Sequence, residues 1–356
     1  MNNPINSARR EKLRPLLARE GLDALLVSLA ANRFYLSGFE LHDPQCNESA
    51  GYLLVTRNGP DWLLTDPRYL DAARRLWDED NVFIYAQARN EKIREFLAGL
   101  RLGTIGVESQ ALCVQTWLDL SNGLTLKPTK GLVEELRIIK EPGEIEIMRR
   151  SCRLNHEVFG LTPKLLIPGK TEEALAWELE QAFRNGGASE LSFETIVGVG
   201  PNAALPHAIP GATAIRENEL VLVDMGCRLG AYCSDQTRTF WVGDKPSERF
   251  QRTMDLVRGA QQAAIDIIRP GLPAREAYLA AWNHLDRHGV ASQFTHGLGH
   301  GIGLETHEPP SLGRLAETTL QSGMFVTVEP GLYDPTWGGI RWEYMVLVTE
   351  NGCEIL

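Results

Sequence analysis

The sequence lacks any apolar run of about 18 residues, so nothing in it reads as a membrane-spanning helix. It also lacks a basic surplus. A formal charge of -10 leaves no excess of cations to neutralise a phosphate backbone, which argues against a dedicated nucleic-acid binder. The opening stretch MNNPINSARREKLRP has no apolar segment of the secretory kind and is expected not to be a signal. The six cysteines (Cys46, Cys113, Cys152, Cys227, Cys233, Cys353) form no C-x-x-C pair, so free thiols in a reducing cytoplasm are the expected state. What remains is globular in composition, 43% hydrophobic and 23% charged. At 356 residues the chain exceeds one ordinary core and fits two domains.

Glycine is concentrated where neither helix nor strand wants it. In THGLGHGIGLETHEPP, from Thr295 to Pro310, Gly297, Gly299, Gly301 and Gly303 alternate with His296, His300 and His307. Each glycine costs backbone entropy and weakens regular structure. Their density implies that backbone and imidazoles approach something closely.

The patterning divides the chain. ARREKLRPLLAREG reads as a helix, DALLVSLAANRFYLSG as a strand and a turn, and YLLVTRNGPDWLLTD as a hairpin around Asn58-Gly59-Pro60. A helix near YLDAARRLWDED and the short apolar runs NVFIYA and LGTIGVE complete a small α/β domain over residues 1–125. The turn-rich SNGLTLKPTK reads as its exit, and residues 126–141 as a linker. A second unit over 142–356 starts with a helix at Pro142. Within it, IPGKTEEALAWELEQAFRNGG resembles RPGLPAREAYLAAWNHLDRHG. Pro168 and Pro270, Gly169 and Gly271, and Gly187 and Gly289 each stand 102 residues apart, which favours a duplicated unit.

Acids recur at the ends of apolar runs. In ELVLVDMGCRLGAYCSDQTRTFWVG, Asp224 follows Leu220, Val221, Leu222 and Val223 without a break. Folding this stretch as a hairpin centred between Leu229 and Gly230 sets Asp224 opposite Asp235, with Cβ atoms about 4.5–5.5 Å apart. Two carboxylates so placed are costly unless a cation lies between them. Downstream, Glu329 closes one apolar run and Glu343 begins another after a turn-rich excursion, so closing that loop brings a second pair together. Four carboxylates and one imidazole suit two divalent ions, Mn²⁺, Co²⁺, Fe²⁺ or Zn²⁺, better than a thiolate site would. Ions about 3.5–4 Å apart would share a hydroxide for hydrolysis. His284 and His288, by contrast, read as neighbours on a helix face and not as ligands.

With these residues in view, HGLGHGIGLETHE resembles the signature of the pita-bread metallopeptidases, the family of Xaa-Pro dipeptidase (prolidase), Xaa-Pro aminopeptidase and methionine aminopeptidase. SFETIVGVGPNAALPHA, DMGCRLGAYCSDQTRTF, TVEPGLY and IRWE are similar to the first two. The likeness covers essentially the whole chain and implies an α+β architecture. A C-terminal pita-bread (creatinase/aminopeptidase) fold with a pseudo-two-fold repeat would follow a smaller α/β domain of creatinase/prolidase type. It further implies Asp224, Asp235, His300, Glu329 and Glu343 as metal ligands, with Asp235 and Glu343 bridging two ions, Mn²⁺ first among the candidates. Glu329 would shuttle the proton of the attacking water, His207 and His307 would lie beside the scissile peptide, and His296 and Arg341 would bind or support substrate.

The substrate so implied is a short peptide with proline second, cleaved as a dipeptidase would or, alternatively, as an Xaa-Pro aminopeptidase acting on longer peptides. A homodimer is implied as well, in which His42 and Asp43 of FELHD would reach a partner's pocket. A creatinase-like reaction is disfavoured because all five ligands are present. A non-catalytic binding module built on the same fold is the rival of another class. Three departures stand out: Tyr344 where the family often has Asp or Asn, the bulky Trp342 before the last ligand, and Pro309, Pro310 and Ser311 where some dipeptidases carry an arginine for the free carboxylate of proline.

Overall fold

Helix α1 (Pro4–Arg19) starts where the Asn3 side chain accepts from the Ile5 amide and Pro4 occupies the first turn, and it buries Leu13 and Leu17. The computed structural model describes residues 3–43, 45 and 48–356; Cys46 lies outside them. Strand β1 (Ala24–Val27) follows, and then, where a turn was expected, helix α2 (Ala30–Ser37) closed by the left-handed Gly38. The hairpin is as expected: β2 (Gly51–Thr56) pairs antiparallel with β3 (Trp62–Thr65). Helix α3 (Leu70–Leu76), β4 (Val82–Ile84), α4 (Arg89–Gly99), β5 (Thr104–Glu108) and α5 (Val114–Ser121) come next.

The expected exit is instead strand β6 (Thr125–Thr129), which runs parallel to β5 at one edge of a six-stranded mixed sheet ordered β4-β3-β2-β1-β5-β6. An edge position explains how Pro128 fits, since its missing N–H costs the outer side nothing. After helix α6 (Glu134–Arg137) the first compact unit ends at Arg137, and the second runs from Ile138 to Leu356. Residues 125–137 thus belong to the first unit and are not a linker.

Helix α7 (Pro142–Leu165) begins with Pro142 in its first turn and a reciprocal cap between Glu141 and Glu144. Thr171 caps helix α8 (Glu172–Asn185). Strands β7 (Glu190–Leu191), β8 (Ile196–Val199), β9 (Glu219–Met225), β10 (Cys227–Leu229), β11 (Tyr232–Cys233) and β12 (Gln236–Val242) lead to helices α9 (Glu248–Ile265) and α10 (Ala274–Arg287). The duplicated pattern is carried in three dimensions. Helices α8 and α10 occupy equivalent stretches 102 residues apart, Gly169 and Gly271 have φ of 93° and 85°, and Gly187 and Gly289 have φ of 95° and 71°. Left-handed backbone at all four positions is what only glycine takes readily.

Strand β9 is apolar on both faces because each face meets a different layer. Val221 and Val223 pack with Leu154, Leu175 and Phe183 of α7 and α8. Leu220 and Leu222 pack with Val257, Ala260 and Ala281 of α9 and α10. A buried leucine of this kind contributes roughly 1.5–3 kcal/mol. The remaining strands are β13 (His300–Gly301), β14 (Glu308–Ser311), β15 (Phe325–Val328), β16 (Gly331–Asp334), β17 (Gly338–Arg341), β18 (Tyr344–Val348) and β19 (Cys353–Ile355). Five of them form the sheet β14-β13-β15-β18-β19.

Candidate metal centre

The turn after β10 corrects the expected register. Arg228 pairs with Cys233 and Leu229 with Tyr232, so the turn is Gly230-Ala231, both at positive φ, one residue later than expected. Asp224 consequently faces Thr237 across β9 and β12 and not Asp235. Asp235 sits at the break between β11 and β12, buried all the same. The second acid pair falls as expected. Val328 pairs with Tyr344 and Gly331 with Arg341, which leaves Glu329 and Glu343 facing each other between the two ladders.

These elements bring Asp235, His300 and Glu343 together, with one donor atom from each within 4.8 Å of the others. His300 Nε2 lies 3.6 Å from Asp235 Oδ2 and 3.3 Å from Glu329 Oε1. Its Nδ1 lies 3.0 Å from the Gly301 carbonyl, so the proton belongs there and the Nε2 lone pair faces the acids. Asp224 joins through Arg341, whose Nη2 donates to Asp224 Oδ2 at 2.6 Å. Arg341 Nε donates to Thr237 Oγ1 at 3.0 Å, and that hydroxyl donates to Glu343 Oε2 at 2.8 Å. Thr237 is thus a member of the centre that the misplaced turn hid from sequence reasoning.

Burial drives the carboxyls of Asp224, Asp235 and Glu343 above their ordinary range. The neighbouring acids push further in all three, and Arg341 opposes them. Glu329 goes the other way. Burial works to raise it, but the hydrogen bond and charge of His300, with His296 and Arg341 behind, hold it at about 2. His300 is raised by that same contact, which outweighs its burial. Asp224 Oδ1 and Glu343 Oε1 are buried without a hydrogen-bond partner. Oxygen donors without partners, among acids that resist sharing charge, fit divalent cations, and the donors form a metal-binding site.

The glycines place the floor. A Cβ at Gly299 would collide with the Thr327 carbonyl, and one at Gly301 with the backbone at Pro309. None of the four in the motif has a positive φ, so close approach and not backbone freedom explains Gly299, Gly301 and Gly303, while a Cβ at Gly297 would make only ordinary contacts. The resulting cavity, about 340 Å³, is lined by His207, His296, His300 and His307 together with Asp224, Asp235, Glu329 and Phe193. The rings of His300 and His307 stand 4.2 Å apart.

His296 has both nitrogens engaged, Nδ1 with the Gly297 carbonyl at 2.7 Å and Nε2 with Tyr333 Oη at 2.8 Å. Tyr333 in turn accepts from Arg341 Nη1 at 2.9 Å, and burial lifts its phenol to about 12. Tyr333 lies in TVEPGLY, but no local pattern there ties its hydroxyl to His296 or Arg341. Lys140 was invisible in sequence, and its ammonium meets Glu308 at 2.6 Å beneath the histidine loop. His284 and His288 sit together on α10 and its C-terminus, outside the cavity-lining set. Asp43 accepts from Arg33 within the first unit.

The model of metallopeptidase family M24 matches residues 146–350, and that of the creatinase/prolidase N-terminal domain matches residues 9–139. An Xaa-Pro dipeptidase of Pyrococcus furiosus is 32% identical over 349 residues, covering 98% of this chain and 97% of that protein. The structure of an Xaa-Pro dipeptidase from Bacillus anthracis superimposes with a TM-score of 0.91 at 32% identity, covering 98% and 97% of the two chains. That of an X-Pro aminopeptidase from Thermotoga maritima gives 0.87 at 29% identity, covering 97% and 96%.

Proposed function

Because this chain belongs to metallopeptidase family M24 and carries a creatinase/prolidase N-terminal domain, we propose that it hydrolyses the bond between an N-terminal residue and proline. The observation that carries this reading is the cluster of Asp235, His300 and Glu343, of which Asp235 and His300 line a peptide-sized cavity. Asp224, Asp235, His300, Glu329 and Glu343 would hold two divalent cations, Mn²⁺ being the first candidate. When bound, such ions polarise a carbonyl and lower the pKa of water to near neutrality.

The chain's own residues do the rest. Glu329, kept ionised by His300, accepts a proton from the attacking water on its carboxylate and delivers it to the leaving proline nitrogen. His207 and His307, on the cavity wall, donate to the scissile carbonyl oxygen as negative charge builds there. Arg341 fixes Asp224 and, through Thr237, Glu343. Asp224 lies where a substrate ammonium is drawn, which limits attack to the first peptide bond. Proline in second place has no N–H to satisfy, and the ring of His296 offers a face in place of an acceptor.

Dipeptides are the first reading of the substrate. One observation favours the longer peptides of an aminopeptidase: a second groove continues from the cavity at His296, Gly297 and Ser311. The reading includes a cytoplasmic homodimer, which sedimentation of the purified protein and fractionation of cells would check. Hydrolysis of Ala-Pro and Ala-Pro-Ala after loading with Mn²⁺ or Co²⁺ is the direct test. Cleavage of either supports the reading, and cleavage of neither with metal bound removes proline specificity. Calorimetric titration with Mn²⁺ separates the enzyme from a binding module, which would take up no metal.

A further inference from the structure

The groove that adjoins the cavity has a composition of its own. It encloses about 540 Å³ and shares His296, Gly297 and Ser311 with the metal-site cavity. Its floor is aromatic: Tyr278 and Phe294 stack at 5.6 Å, and Phe294 meets the His296 ring edge-on at 5.1 Å. Both aromatic residues are buried, so the floor is fixed by packing. The rim is different. Leu315 is 90% exposed, and Arg314 beside it is exposed too. Among the described residues no acid forms an ion pair with Arg314. The aromatic floor and the cation on its rim together offer an apolar contact beside a site for a carboxylate.

Charge sets the direction in which a peptide must lie. Arg314 attracts a carboxylate and repels an ammonium, so the C-terminal end of a peptide lies at the groove and its N-terminal end at the acids of the metal centre. The first residue therefore occupies the acid end, proline lies beside His296, and the chain leaves past Ser311. Building on the Xaa-Pro reading, we propose that this groove is the binding site for the residue after proline. It takes a large apolar or aromatic side chain on Tyr278 and Phe294, and Arg314 pairs with the free carboxylate when that residue is the last. The favoured substrate class is thus the tripeptide Xaa-Pro-aromatic, in preference to the bare dipeptide. Aromatic stacking and apolar burial supply the side-chain preference, and the charge-assisted contact supplies the preference for a free C-terminus.

The test uses the full-length protein loaded with Mn²⁺ and four peptides: Ala-Pro, Ala-Pro-Gly, Ala-Pro-Phe and Ala-Pro-Phe-amide. The expected order of kcat/KM puts Ala-Pro-Phe about ten-fold above Ala-Pro-Gly and about ten-fold above its amide, with both differences in KM. Arg314→Ala should reduce the acid-to-amide ratio to about one, and Arg314→Lys should restore part of it. Binding of the product Pro-Phe, followed by calorimetry, gives a readout independent of turnover, and Arg314→Ala should weaken it about ten-fold. Equal rates for Phe and Gly in third place, with an unchanged acid-to-amide ratio in Arg314→Ala, would overturn the assignment. So would a loss that falls equally on Ala-Pro, since Arg314 would then be reaching the proline carboxylate itself. If no proline peptide is cleaved, the Xaa-Pro reading fails, and Pro-Phe binding still decides for or against the groove.

Discussion

Lys140 and Glu308 form an ion pair whose side chains are only 1% and 3% exposed, at 2.6 Å, so neither charge has water to fall back on. Lys140→Met removes one partner and leaves the Glu308 carboxylate buried beside Gly303, where a Cβ would already touch it. Breaking a buried pair this way costs about 3–5 kcal/mol. A body of this size loses about 2–4 °C per kcal/mol, so its melting transition should fall by about 6–20 °C. The double variant Lys140→Met/Glu308→Leu removes the stranded charge as well and should recover most of that loss, because apolar replacement of a buried pair is close to neutral. Urea unfolding of wild type, both single variants and the double variant closes the cycle, with metal chelated in every sample so that ligand binding does not mask the difference. A cost below about 1 kcal/mol for Lys140→Met, or a double variant no better than the single, refutes the reasoning.

Three further outcomes are expected. In the metal-free protein, Asp224, Asp235, Glu343 and His300 all have folded values raised above their ordinary ones, so the stability each contributes is present at low pH and is lost as pH climbs through the folded value. Glu329, held at about 2, has the opposite dependence but only in acid. Chelated protein should therefore melt lower at about pH 8 than at about pH 6, and loading with Mn²⁺ should abolish the trend; a chelated melting point that rises over this range contradicts it. Tyr333→Phe deletes the hydroxyl between His296 and Arg341 and should lower kcat roughly ten-fold at a stability cost of about 1 kcal/mol, read from steady-state kinetics and thermal melts. Gly299→Ala drives a methyl group into the Thr327 carbonyl, and metal uptake by calorimetry should weaken at least ten-fold as the floor is displaced.

The candidate site was legible where chemistry and local pattern coincide. Asp224 betrays itself by ending the run Leu220–Val223, and Glu329 and Glu343 by opposing one another across an apolar ladder. The register of Asp235 was not legible. Gly230 marks the turn, but its second residue, Ala231, takes a left-handed conformation that its side chain disfavours, so the sequence does not show on which side of Gly230 the turn is centred. Strand β6 was hidden by Pro128 and Lys127, residues an edge tolerates and a central strand does not. Helix α2 was hidden because Leu29 offers no capping side chain, though Gly38 marks its end. Lys140 and Glu308 stand 168 positions apart, and no local pattern encodes a partner at that range.

The repeat of α8 and α10 has a consequence for how the donors are shared. Of the five proposed ligands, the segment after the first copy carries Asp224 and Asp235, oxygen alone, while the segment after the second carries His300, Glu329 and Glu343. The cluster of Asp235, His300 and Glu343 draws on both halves, so on the proposed ligand set neither half alone would hold the cations. A chain severed at the exposed Asp244–Lys245 link between the halves would yield two fragments that are each mute. Metal capture would then report their reunion, and the cation would act as the clasp of a split protein.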